Sequence, residues 1–148
     1  MSTTSPTPAQ LRLENQLCFS LYSASLAMTK LYKPLLGALG LTYPQYLVML
    51  VLWEQDGLVV SDLGQRLQLD SGTLTPLLKR LQAQDYVQRQ RDAHDERKVR
   101  VNLTPLGRAL QEQAAAVPLA VAQKTQCGWS EIAALNQSIQ TLRQRLLA

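Results

Sequence analysis

The stretch Asp70-Ser71-Gly72-Thr73-Leu74-Thr75-Pro76-Leu77-Leu78-Lys79-Arg80-Leu81 decides how this chain folds. Leu74, Leu77, Leu78 and Leu81 recur at the spacing of one helix face and turn inward. Thr73, Thr75, Pro76, Lys79 and Arg80 then face out, with Ser71 at the start of the helix. A proline past the first turn removes a helix hydrogen bond and crowds the carbonyl four residues back, so an irregular first turn is expected at Pro76. Downstream, Tyr86 to Arg91 and Val99 to Leu103 read as strands, because Val99, Val101 and Leu103 alternate with Arg100 and Asn102. The charged run Asp92 to Lys98 joins them as a hairpin loop. Upstream, Ser61 is expected to cap a short helix carrying Leu63 and Leu67. Before it, Thr42 offers an N-cap to a very apolar helix from Pro44 to Gln55, ended by Asp56 and Gly57.

Longer helices flank this centre. From Ala9 to about Lys33 there are few breakers, and Leu13, Leu17, Leu21, Met28 and Leu31 keep a helical period until Pro34, Gly37 and Gly40 interrupt it. A helix of that length favours a partner. After the hairpin, Thr104 and Pro105 open a helix expected to reach about Gln126, with a kink at Pro118 and an end at Gly128. Ser130 is expected to cap the last helix, which carries the stripe Leu135, Ile139, Leu142 and Leu146. The fold class is therefore mainly α with a small β-hairpin: a winged helix-turn-helix over residues 43–103, flanked by dimerisation helices over 9–40 and 105–148. In that architecture the second short helix enters a DNA major groove and the hairpin loop reaches the neighbouring minor groove or backbone.

Composition agrees. The chain has 148 residues, 46% of them apolar, which suits one domain with its own core. Between Lys79 and Arg100 seven basic residues stand against four acidic ones, so most of the +4 net charge lies there. A basic segment in an otherwise near-neutral chain points to a polyanion, where a solvated charged hairpin is the bland alternative. His94, Arg97 and Lys98 in the loop are the candidate contacts, His94 as a solvated or phosphate-adjacent side chain. One histidine and two distant cysteines, Cys18 and Cys127, give no zinc-finger spacing, so neither a metal nor another cofactor is expected. The apolar run from Pro34 to Trp53 is broken by Gly37, Gly40, Pro44 and Gln45 and is too short in its pieces to span a membrane. Met1 to Gln10 lacks a basic segment followed by an apolar one, so no signal peptide is read there. A cytoplasmic, reducing location and free thiols are expected.

The segment from Asp70 to Leu81, with Arg91-Asp92-Ala93-His94-Asp95-Glu96-Arg97-Lys98 and Leu103-Thr104-Pro105-Leu106-Gly107, resembles the MarR family of bacterial transcription regulators over residues 11 to 148. Within it the chain is similar to the OhrR branch of organic-hydroperoxide-sensing repressors, marked by a reactive cysteine in the first helix and tyrosines that hydrogen-bond it. Cys18 stands at that cysteine, and Tyr22, Tyr32 and Tyr43 stand at the tyrosines. The resemblance implies a homodimeric repressor that binds an inverted-repeat DNA operator and takes organic hydroperoxides as inducers. It also implies that Cys127 resolves an oxidised Cys18 through an intersubunit disulfide.

The chemistry explains the residue types. Only a thiolate attacks a peroxide, and a cysteine with its ordinary pKa near 8.5 is mostly thiol at neutral pH, so the anion needs donors. A phenol donates to sulfur while its ring supplies an apolar wall. Tyr22, four residues after Cys18, shares its helix face. Tyr32 lies 14 residues on, about 21 Å away along a continuous helix, and must come from a second subunit to touch Cys18. Tyr43 is expected to fold back within its own chain, so that Tyr32 of one subunit and Tyr43 of the other flank Cys18. Without such tyrosines Cys18 would read as a small buried hydrophobe. Tyr46 and Tyr86 read as packing residues. A thiol peroxidase is a poor alternative, since Asn15, Gln16 and Leu17 precede the cysteine and no alternating strand-helix pattern exists. The closer alternative is a MarR-type repressor that reversibly binds a small phenolic ligand.

Overall fold

Thr42 opens the central helix by a reciprocal cap. Its hydroxyl accepts the Gln45 amide at 3.4 Å while the Gln45 side chain accepts the Thr42 amide at 2.9 Å, satisfying two donors that a helix start leaves free. This helix belongs to a computed structural model that describes residues 5–148; Met1 to Thr4, part of the stretch read as lacking a signal peptide, lie outside the described residues. In chain order the elements are α1 (Leu17–Gly37), α2 (Tyr43–Glu54), α3 (Val60–Leu67), α4 (Ser71–Ala83), β1 (Val87–Arg91), β2 (Val99–Leu103), α5 (Pro105–Ala114), α6 (Ala116–Thr125) and α7 (Trp129–Leu147), preceded by two single 3₁₀ turns, Ala9–Leu11 and Leu13–Asn15.

The helix expected from Ala9 begins eight residues later. The Asn15 amide donates to the Ala9 carbonyl at 2.7 Å, and Gln16 donates to the carbonyls of Gln10 and Arg12, so these side chains fold the segment into 3₁₀ turns. At its other end α1 passes Pro34 and stops at Gly37. Met49, Leu52, Leu63, Leu74, Leu78, Leu81, Val87 and Val101 form the fully buried centre, contributed by α2, α3, α4 and the hairpin. The four leucines predicted to face inward on α4 do so. Pro76 causes no irregular first turn: α4 is continuous from an Asp70 cap, with the Leu74 amide on the Asp70 carbonyl at 3.0 Å. The residue four back from Pro76 is Gly72.

The hairpin pairs Val87 with Leu103 and Arg91 with Val99 in antiparallel register. The α2–α3 turn adds to it as a short third strand, through the Val101 amide on the Leu58 carbonyl at 2.9 Å and a bridge between Val59 and Arg100. That extended arrival also corrects the start of α3. Val59 is its N-cap and Ser61 lies inside the first turn, with no capping bond.

Thr104 caps α5 as read, its hydroxyl accepting the Gly107 amide at 3.0 Å. The break in the following helix comes at Ala115, upstream of the expected kink at Pro118. The ring of Pro118 opposes the carbonyl of Ala114, four residues back, which places the interruption there. The end of α6 is Gln126 in the left-handed region (φ 58°) rather than Gly128, and Gly128, not Ser130, is the N-cap of α7. Leu110, Ala114, Val117 and Val121 join the same core as the winged-helix leucines, so α5 and α6 share it, whereas α7 has no buried residue. Among the described residues no helix is long and apolar enough to cross a membrane.

Candidate functional site

Two regions gather the candidate residues. The first is built on α4. Asp70 accepts the Thr73 amide at 2.7 Å, and this bond holds its carboxyl below the usual aspartate range. With the helix start so fixed, Ser71, Thr73, Pro76, Lys79 and Arg80 are exposed and Thr75 is half-buried. Between α4, the start of α3 and the hairpin lies a cleft of about 330 Å³ that brings Ser71 and Thr75 together with Arg97 and Lys98 of the wing. Ser61 and Arg89 line it too. Sequence reasoning missed Arg89, which lay hidden as one more polar strand residue; the signal was its position two after Val87, on the face that meets Val101. Gln82 of α4 accepts from its Nε at 2.9 Å. Thr73, Pro76, Lys79 and Arg80 do not line the cleft. His94 lies apart from it, lining a larger hollow behind the wing with Asp56, Asp62, Asp92, Asp95 and Arg100.

Inside the wing, Asp95 accepts the Arg97 amide at 3.1 Å and its Nε at 3.2 Å, and the Arg97 side chain remains 91% exposed. Asp92 takes three donors: the Arg100 guanidinium and the amides of His94 and Asp95. The Arg100 bond first, then the His94 amide, hold its carboxyl down at about 2. The Asp92–Arg100 pair was not singled out by sequence, where it read only as part of the basic excess.

The second region lies on α1. Cys18, the second residue of the helix, is exposed, and Tyr22 one turn on is 62% exposed. The helix is unbroken from there to Tyr32, so their separation stays about 21 Å. Tyr32 packs on Tyr43 (ring centroids 5.0 Å) and Tyr46 (5.9 Å). This corrects the expectation for Tyr43. It does not fold back onto its own Cys18, and Tyr32 and Tyr43 form one unit within a single chain, because the turn from Leu36 to Leu41 sets the start of α2 against the far end of α1. Burial pushes all three phenols above the usual tyrosine range, so they stay protonated and can donate. Among the described residues no hydrogen bond engages their hydroxyls. Beside them an apolar cavity of about 420 Å³ is lined by Leu36, Leu41, Tyr43 and Pro44, with Lys33 and Thr29. Tyr46 is buried, as its packing reading required, and the Tyr86 hydroxyl donates to the Leu39 carbonyl at 3.0 Å. Cys127 is half-buried in the α6–α7 link, its thiol 3.5 Å from the Thr125 carbonyl. Both cysteines are free thiols, and among the described residues no group of three or more His, Cys, Asp or Glu is placed to hold a metal.

A family profile described as transcriptional regulator SarA/Rot matches residues 30–113. The organic hydroperoxide resistance transcriptional regulator of Bacillus subtilis is 46% identical over 136 residues, which cover 92% of each chain. The chain belongs to the MarR family of transcriptional regulators, in its organic-hydroperoxide branch. Solved structures of another MarR-type regulator, AbfR, superimpose on it. Reduced AbfR bound to DNA gives a TM-score of 0.78 at 38% identity, covering 93% of this chain and 94% of that one. Disulfide-formed AbfR gives 0.65 at 40% identity, covering 90% and 93%. The relatives of this MarR regulator are transcriptional regulators rather than enzymes.

Proposed function

We propose that the chain is a homodimeric, cytoplasmic repressor that binds an inverted-repeat operator and releases it when an organic hydroperoxide oxidises Cys18. The observation that carries this reading is the separation, along one unbroken helix, of an exposed cysteine from phenols whose hydroxyls no hydrogen bond engages among the described residues. A second copy running antiparallel would bring each Cys18 to the other chain's Tyr32 and Tyr43. The exposed apolar side chains Leu17, Phe19, Tyr22 and Leu26 of α1 and Leu135, Ile139 and Leu146 of α7 supply the surface for such pairing. Ser71, Thr73, Thr75, Pro76, Lys79 and Arg80 would then face the major groove, and Arg97, Lys98 and His94 the adjacent backbone or minor groove.

In the oxidation step the Cys18 thiolate attacks the terminal peroxide oxygen. The S–O bond forms as the O–O bond breaks, and the alkoxide leaves with a proton as alcohol. The resulting sulfenic acid is attacked by the partner's Cys127 thiol, forming the disulfide and expelling water. The phenols donate to the thiolate at the start. A disulfide requires Cα atoms within about 7 Å, so closure pulls α1 and the α6–α7 link together and changes the spacing of the two α4 helices. That the AbfR structures include a reduced form on DNA and a disulfide form supports the reading. Cys18→Ser is the test: the variant is expected to fold and bind DNA yet to stay bound after treatment with an organic hydroperoxide. Release of the Cys18→Ser protein on oxidation removes Cys18 from the switch.

A further inference from the structure

We propose that Arg100 is the positioning residue of the wing: its guanidinium fixes the hairpin against the α2–α3 turn and thereby sets where Arg97 lies, without itself touching DNA. The proposal rests on the DNA-binding reading given above. By composition Arg100 looks like one more phosphate contact in a basic hairpin, but the geometry places its donors elsewhere. One terminal nitrogen donates to the Gly57 carbonyl on the turn after α2, and the other donates to the Asp92 carboxylate. Asp92, only 10% exposed, follows directly on β1 and uses its second oxygen to accept the His94 and Asp95 amides at 2.8 and 3.3 Å. One planar fork therefore joins the body of the domain to the root of the wing loop.

Beyond this fork the loop is held by bonds within itself. The Asp92 amide donates to the Lys98 carbonyl at 2.8 Å, the Lys98 amide to the Asp95 carbonyl at 2.9 Å, and Arg91 to the Glu96 carbonyl at 2.9 Å. Arg97 is oriented by Asp95 alone, through a solvent-exposed contact that is weak by itself. A two-stranded ribbon twists readily when nothing braces it. The ribbon is tied to the α2–α3 turn by the Val101 amide on Leu58 and the Asp56 carboxylate on the Leu103 amide at 2.8 Å, both on β2. Arg100 is the side chain that carries this restraint across to the end of β1, where the loop carrying Arg97 begins. A lysine, a single point charge, cannot reach both acceptors at once.

The test uses the full-length protein and a duplex of about three helical turns selected by the wild-type chain from random sequence. Affinity is measured against salt concentration. Arg97→Ala, which removes a phosphate contact, is expected to lower the salt slope by about one. Arg100→Gln is expected to weaken binding about tenfold and, because it displaces Arg97 from its phosphate, to lower the slope by about one as well. Arg100→Lys should not rescue it. Asp92→Asn, which cuts the brace from its other end, should give the same loss in affinity and slope even if an Arg100 variant folds poorly. Because Arg97 depends on the brace, Arg97→Ala should cost far less affinity in the Arg100→Gln background than in the wild type, a coupling that general destabilisation does not produce. A slope that falls by about two in the Arg100→Gln, Arg97→Ala double variant makes Arg100 a phosphate contact of its own and overturns the proposal; so does unchanged affinity, or strict additivity with Arg97→Ala. A wild-type chain that selects no duplex overturns the DNA-binding reading itself, and this inference with it.

Discussion

Helices α2 and α7 both carry many apolar side chains, yet the first buries six of its 12 residues and the second none of its 19. The central region, α2 to β2 with α5 and α6, buries most of its apolar side chains within the chain, Leu50, Leu106 and Leu119 excepted. The ends, the first half of α1 and all of α7, hold out Leu17, Leu26, Leu135 and Ile139, each about half exposed or more. Periodicity shows that a helix has an apolar face. Only packing shows whether the chain carries the other half of that contact.

The sharpest break in the comparison comes from the central region. A Cβ added at Gly107 would lie 2.1 Å from the Tyr86 carbonyl oxygen, backbone against backbone, where nothing flexible can give way. Gly107→Ala is expected to destabilise the fold by more than about 3 kcal/mol, seen as loss of the cooperative thermal transition. Next comes Leu78→Ala, which empties a site only 1% exposed. A loss of about 2–5 kcal/mol is expected in denaturant unfolding, with little change in dimer affinity. Ile139→Ala, on a side chain 48% exposed, reverses that pattern. Unfolding at high dilution should change by less than about 0.5 kcal/mol, while sedimentation at micromolar concentration shifts toward monomer. Equal effects of the Leu78 and Ile139 changes on both measurements would erase the distinction between the regions.

The smallest effect concerns the wing. Asp92 has its carboxyl held at about 2, below the ordinary 3.8, so its contribution is fully present above the unfolded value and is lost as pH falls through the folded one. Between those values the wild-type hairpin is expected to loosen, followed by amide exchange of the Val99 to Val101 segment. Asp92→Asn should remove that pH dependence.

Much of this was legible in the sequence, for identifiable reasons. The inward leucines of α4, the cap at Thr42, the cap at Thr104 and the alternation of β2 are each decided by a few neighbouring residues, and all appear as read. The errors arose where a distant element intervened. Ser61 fails as a cap because Val59 is drawn out straight by its bridge to Arg100, and the helix begins directly after it. The start of α1 moved because two side-chain amides, Asn15 and Gln16, captured backbone carbonyls, an event that no apolar period records. For the site, the rise per residue gave the gap between Cys18 and Tyr32. It could not place Tyr43, whose position depends on how the Leu36–Leu41 turn closes.

The unbroken helix between Cys18 and Tyr32 also bears on inheritance. Under the proposed switch, Cys18 and the Tyr32 and Tyr43 phenols that flank it never belong to the same polypeptide, so every sensing site is the joint product of two gene copies. Consider a cell expressing one allele with Cys18→Ser and another with Tyr32→Phe and Tyr43→Phe. Each allele alone assembles dimers in which both sites are impaired. A mixed dimer concentrates all the damage in one site and leaves the other intact, so the two defective alleles would complement each other in trans.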